Sequence, residues 1–152
     1  MSSEVTIGFL GAGKMASALA KGFIQAGIAS ANNLIASDPA PQARQDFEKL
    51  GARSTADNNE VFDSADIIIL AVKPMQVSRV LKQASPQMRP HHLIISIAAG
   101  ITLAKLEADA AEDSHVIRVM PNTPALVGAS ASAYALGTCA TAFTNIFALQ
   151  YI

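Results

Sequence analysis

The stretch from Val5 to Lys21, VTIGFLGAGKMASALAK, constrains this chain more than any other. It opens on an apolar run, Val5, Ile7, Phe9 and Leu10, of the kind a strand buried on both faces requires. Gly11, Gly13 and Ala16 follow in the spacing G-x-G-x-x-A, and Met15, Leu19, Phe23 and Ile24 then recur at helical intervals as core positions. In a strand–turn–helix unit Gly11 allows the tight turn, Gly13 lets main chain approach a pyrophosphate, and Ala16 lets the helix pack close to the sheet. A helix beginning near Lys14 offers unpaired N–H groups and the positive end of its dipole to an anion. Glycine turns are common. Its place between a strand-like run and a helix-like run favours a dinucleotide site over a turn of purely structural use.

Bulk properties fit that unit. Apolar residues make up 51% of the 152 and charged residues only 15%, as expected for an α/β domain whose sheet is covered on both sides. A net charge of −1 with no basic stripe leaves no electrostatic footprint for nucleic acid. Met1-Ser2-Ser3-Glu4 has neither the basic nor the apolar region of a secretory signal, and no apolar stretch approaches the ~20 residues of a spanning helix. The single cysteine, Cys139, fits a reducing compartment. The expectation is a cytoplasmic protein with no membrane and no nucleic-acid partner.

Later segments read as alternating helices and strands of a doubly wound, mostly parallel sheet. Gly27 reads as the stop of the first helix, and Ser30 to Asn33 as a connecting loop. Leu34 to Ala36 is a short second strand, Gln42 to Leu50 an amphipathic helix stopped by Gly51, and Arg53 to Thr55 a minor strand. A short helix then runs through Phe62, with Asp57, Asn58 and Asn59 as candidate caps and capping as the favoured use of Asn59. Asp66 to Val72 is the strongest strand, followed by a crossover helix over Met75 to Ala84 with Val77, Val80 and Leu81 inward. Leu93 to Ile97 and Val116 to Met120 complete the strands, with Thr102 capping the helix between them.

In open α/β sheets ligands lie beyond the carboxyl ends of the strands, so the residues at those ends are the candidates. At the second strand, Ser37 tolerates a 2′-phosphate, whereas Asp38 repels one if it points inward; Arg44 is the nearby countercharge, and the pair leans to NADP with NAD possible. Asn58 either caps its helix or reaches the adenosine ribose. Ala71 to Pro74 line the cleft, where Pro74 forces Lys73 to be extended, and Lys73 is either a ligand neighbour or a solvated charge. Ala98, Ala99 and Gly100 read as main chain approached by a flat ring. Asn122 and Thr123, bracketed by Pro121 and Pro124, are either turn formers or partners of a carboxamide. His91, His92 and His115 precede strands on the opposite rim, read as surface residues, and show no metal-ligand spacing.

Taken together, IGFLGAGKMASALAKGFI, AVKP, SIAAGI and RVMPNTPALV resemble the N-terminal domain of the pyrroline-5-carboxylate reductase family, over Val5 to about Ala142. The last segment, paired with SIAAGI some twenty residues earlier, is far more specific than the glycine signature. The resemblance implies hydride transfer from NAD(P)H to the C5 carbon of 1-pyrroline-5-carboxylate, giving proline. It places the cofactor loop on Leu10, Gly11, Ala12, Gly13, Lys14 and Met15 and the ribose and phosphate contacts on Ser37 and Asp38. The adenosine-side asparagine falls on Asn58. The nicotinamide side falls on Ala71, Val72, Lys73 and Pro74, with Ala98, Ala99 and Gly100 beside it and Asn122 and Thr123 near the ring. No residue is assigned a catalytic role, and no metal is implied.

Two departures stand out. The family often has E-G-A before its Tyr-Ala strand, where this chain has Ala129, Ser130 and Ala131, so a changed turn is expected. The resemblance also implies a further all-helical domain that makes a homodimer and supplies most of the carboxylate site. This sequence does not carry it: a dinucleotide-binding domain over 1–142 is followed by a divergent tail over 143–152, whose Phe143, Ile146, Phe147 and Leu149 form an apolar face. The expectation is cofactor binding without normal turnover. The alternatives are a catalytically silent NAD(P)-binding module or partner subunit fragment, and, ranked last, a related hydroxyacid or imine reductase.

Overall fold

A computed structural model describes residues 5–120 and 133–136. The central strand, β1 (Ile7–Leu10), is buried along its whole length, as its unbroken apolar run requires. It leads through the glycine turn into α1 (Lys14–Gln25) and then β2 (Leu34–Ser37). The chain continues as α2 (Pro41–Glu48), β3 (Arg53–Thr55), α3 (Asn58–Ser64), β4 (Ile67–Leu70) and α4 (Pro74–Ala84). It ends with β5 (Leu93–Ser96), α5 (Leu103–Asp109), β6 (His115–Met120) and β7 (Ala133–Leu136).

The strands form one seven-stranded sheet in the order β3-β2-β1-β4-β5-β6-β7. β1 to β6 pair in parallel, and β7 runs antiparallel to β6. The doubly wound, mostly parallel architecture is therefore as the sequence predicts. Order reverses at β1 and β4: the chain winds outward from β1 through β2 to β3, then returns to β4 and winds the other way.

Two apolar layers cover the sheet. Ile7, Phe9, Ile67 and Ile69 point to one face, where Ala16, Ala20 and Phe23 of α1 and Phe47 of α2 pack. The Phe9 ring stacks edge-on against Phe47, with centroids 5.6 Å apart, and lies 6.4 Å from Phe23. Leu10, Ile68, Leu70 and Ile94 point to the other face, against Val61, Val77, Leu81 and Leu106 of α3, α4 and α5. Strand alternation thus sends successive apolar side chains into separate cores, so central strands lack a polar face.

Several bounds differ from expectation. The strands are shorter at their carboxyl ends because the chain leaves the ladder as soon as the rim is reached: β4 stops at Leu70 and β5 at Ser96. Pro41 opens α2 at its first position, where its missing N–H costs nothing. Asn59 is not the cap of α3. Asp57 holds that position in extended conformation, and its Oδ1 accepts a 2.9 Å bond from the Asn59 N–H. Thr102 caps α5 as predicted, accepting from the Lys105 N–H at 3.2 Å.

Among the histidines, His92 is not a surface residue. It is 2% exposed, and both ring nitrogens are engaged, Nδ1 accepting from the Arg89 N–H and Nε2 lying 2.9 Å from the Phe62 carbonyl. Its shape fits beneath the Phe62 ring, which it meets edge-on.

Candidate functional site

Register aligns the strand ends. Leu10 pairs with both Ser37 and Leu70, Ser37 with Thr55, Leu70 with Ser96, and Ser96 with Arg118. The segments that follow these residues therefore form one rim, and they are the segments the sequence singles out: Gly11–Met15, Asp38, Asn58, Ala71–Pro74 and Ala98–Gly100.

At its centre, β1 and β4 diverge. Gly11 has φ +101°, and its N–H donates 2.8 Å to the Ser37 carbonyl. A Cβ there would stand 2.8 Å from the Ala71 oxygen, so only glycine fits both the backbone angle and the space. Gly13 caps α1 through main chain alone: φ is −76°, no side chain caps the helix, and its first turn carries no acidic residue. The first intrahelical bond is Ser17 N–H to the Gly13 carbonyl, leaving the earlier N–H groups aimed outward. A Cβ on Gly13 would meet nothing within 4 Å. Buried Ala16 brings α1 onto the sheet below. This open, uncapped helix start suits a pyrophosphate, which needs donors and close main-chain approach.

One loop donor is already used. The Ala12 N–H donates 3.0 Å to Asp38 Oδ2, while Asp38 Oδ1 accepts from the Ala40 N–H at 2.9 Å. Asp38 therefore does point inward, toward the glycine turn. Arg44 does not pair with that carboxylate; its Nη1 donates to the Asp38 and Pro39 carbonyls at 2.7 and 3.1 Å. Ser37 differs from the expectation that it faces a phosphate. It is 1% exposed, and its hydroxyl donates 2.6 Å to Asn58 Oδ1. Asn58 is thereby tied to the end of β2 rather than spent on capping. Sequence reasoning missed both links because they join residues 26 and 21 positions apart. It also gave no task to Gly8, where a Cβ would collide with Val61 of α3 and with Ala65 just past its end.

On the other side of Gly11, Ala71 N–H donates to the Leu10 carbonyl at 2.8 Å, while Ala71 and Val72 are partly exposed at the rim. Lys73 is extended, with φ −61° and ψ 145°, as Pro74 demands, and exposed at the start of α4. Ala98 turns into the core, whereas Ala99 and Gly100 are exposed. Asn122 and Thr123, and the tail over 143–152, lie outside the described residues. Among the described residues no cluster of His, Cys, Asp and Glu gathers to hold a metal, and no helix is long and apolar enough to cross a membrane.

Residues 6–100 match the family described as NADP oxidoreductase, coenzyme F420-dependent. The chain belongs to that family. Within it, the chain is similar to the pyrroline-5-carboxylate reductase of Methanosarcina acetivorans, with 46% identity over 136 residues, covering 89% of this chain and 50% of the relative. It superposes on the pyrroline-5-carboxylate reductase structure from Coxiella burnetii with a TM-score of 0.90 at 28% identity, covering 98% of this chain and 56% of that one. The Plasmodium falciparum pyrroline carboxylate reductase, solved with NADP bound, gives a TM-score of 0.84 at 30% identity, covering 97% and 53%. The resemblance carried by the four sequence segments is borne out. The chain spans about half the length of the curated relatives it matches.

Proposed function

We propose that this chain forms the dinucleotide-binding half of a pyrroline-5-carboxylate reductase, which reduces 1-pyrroline-5-carboxylate to L-proline with NADPH or NADH. The observation that carries the reading is the uncapped α1 start at the reversal of strand order, in a chain similar over most of its length to reductases of that name. The unit corresponds to residues 1–142, in a cytosolic setting.

Under this reading the main-chain N–H groups of Gly13, Lys14 and Met15 receive the pyrophosphate, with Leu10, Gly11 and Ala12 shaping the floor beneath. Asp38 and Asn58 meet the adenosine ribose, and Ser37 positions Asn58 from below. Ala71, Val72, Lys73 and Pro74 wall the nicotinamide side, with Ala98, Ala99 and Gly100 opposite and Asn122 and Thr123 as partners of the carboxamide. Bound reduced nicotinamide supplies a hydride for the imine carbon. The protein's own share is orientation and exclusion of water, effects worth several kcal/mol of barrier. A protonated imine asks for no general acid from this chain.

The test is titration of the full chain with NADH and NADPH, followed by a coupled measurement of nucleotide oxidation and proline formation. Binding of either nucleotide supports the reading, and binding of neither overturns it. Binding with slow proline formation is the expected result, full-rate formation overturns the expectation of impaired turnover, and binding with none at all makes the chain the silent binding module.

A further inference from the structure

We infer that Asp38 sets the choice of cofactor, and that the cleft favours NADH over NADPH. The inference rests on the dinucleotide reading of the same site and deepens it.

The main chain of Asp38 is fixed to the sheet by its N–H, which donates 3.1 Å to the Thr55 carbonyl. Its two oxygens accept from Ala12 and Ala40, one on the glycine turn and one on the turn into α2. Rotating the side chain outward would break both bonds at once, so the carboxylate stays at the junction of the two turns. A carboxylate accepts at about four lone-pair sites, and two remain.

That junction lies at the end of β2, where a dinucleotide's adenosine ribose comes to rest in sheets of this order. A ribose 2′-hydroxyl donates to a free lone pair there. A 2′-phosphate brings only acceptors and further negative charge to a group that cannot withdraw. Compensation is missing on the protein side: both Asp38 partners are neutral amides, and among the described residues no salt bridge reaches it. Arg44, the one cation the sequence places near, has Nη1 committed to the Asp38 and Pro39 carbonyls. Ser37, the residue that would have welcomed a phosphate, is buried with its hydroxyl on Asn58.

The experiment is calorimetric titration of the full chain with each nucleotide, on the native sequence, Asp38→Asn and Asp38→Ser. The native chain is expected to bind NADH at least ~10-fold tighter than NADPH, a preference that narrows as salt screens the carboxylate. Asp38→Asn keeps the side chain's size and removes its charge, and should cut the preference several-fold; Asp38→Ser should erase or invert it. Equal or tighter binding of NADPH by the native chain overturns the inference, as does an unchanged ratio in a folded Asp38→Ser chain. If that variant does not fold, the native ratio decides alone. Binding of neither nucleotide overturns the dinucleotide reading itself.

Discussion

Gly11 stands directly behind Ala71: a side-chain carbon on the first would lie 2.8 Å from the carbonyl oxygen of the second. Gly11→Ala therefore meets a left-handed backbone and an unyielding main-chain wall together. It should cost about 2 to 4 kcal/mol, read as a lower urea midpoint. Gly13→Val is the contrasting case, since a Cβ there meets open space and φ is ordinary. Folding stability should stay within about 1 kcal/mol, while dinucleotide affinity falls tenfold or more, ~1.4 kcal/mol. Equal stability losses in the two variants would contradict these separate roles.

The contrast also marks what the sequence could convey. Central strands were legible because parallel strands covered on both faces must be continuously apolar, and Ile67–Leu70 and residues 93–95 satisfy that, each within one contiguous stretch. The glycine turn was legible because three small residues at fixed spacing each answer a local demand. The hydroxyl of Ser37 and the carboxylate of Asp38 were not, because neighbouring residues on a strand end point in opposite directions and their partners come from other loops. Gly8 was unreadable for the same reason. Its constraint is the approach of Val61 on α3 and of Ala65 just past that helix, which no local pattern announces.

The Ser37–Asn58 bond yields a test of which way the hydroxyl faces. Ser37→Ala removes a buried 2.6 Å bond and should destabilise the chain by about 1 kcal/mol. Because the hydroxyl is turned from the cleft, dinucleotide affinity should shift by no more than about threefold, ~0.7 kcal/mol. A tenfold loss of NADPH affinity alone would place the hydroxyl against a phosphate.

Asp109 ties α5 to α4. The side chain is buried, with Lys105 Nζ at 3.4 Å and Lys82 Nζ at 3.7 Å from Oδ1. Burial pushes its carboxyl up, but the Ser78 hydroxyl and the Lys105 and Lys82 ammonium groups outweigh that and hold it below the ordinary carboxylate range. A depressed folded value contributes stability above the unfolded pKa of about 3.9, lost as pH falls through the folded one. Asp109→Asn should cost about 1 kcal/mol at pH 7, since both lysines are well exposed, and the gap to the native chain should close in strong acid. A gap that does not change between pH 7 and pH 2 would assign the loss to packing alone.

His92 works in the opposite direction, packed against α3 on the same face of the sheet. Its Nδ1 accepts from the Arg89 N–H, so the ring proton sits on Nε2 and is donated to the Phe62 carbonyl. Burial lowers its pKa, the Phe62 carbonyl pulls it back up, and His91 lowers it again; the net shift is downward. The unfolded chain, titrating near 6.5, then binds the proton more readily than the folded one. Stability from His92 is complete above about pH 6.5 and drains as pH falls toward the folded value, because a second ring proton would face the Arg89 N–H. The slope from this one group cannot exceed ~1.4 kcal/mol per pH unit. Urea midpoints measured from pH 7.5 to 5 should therefore fall in the native chain. They should fall less in His92→Gln, which is less stable at pH 7.5 but has no ring to protonate. The same slope in both would remove His92 as the source.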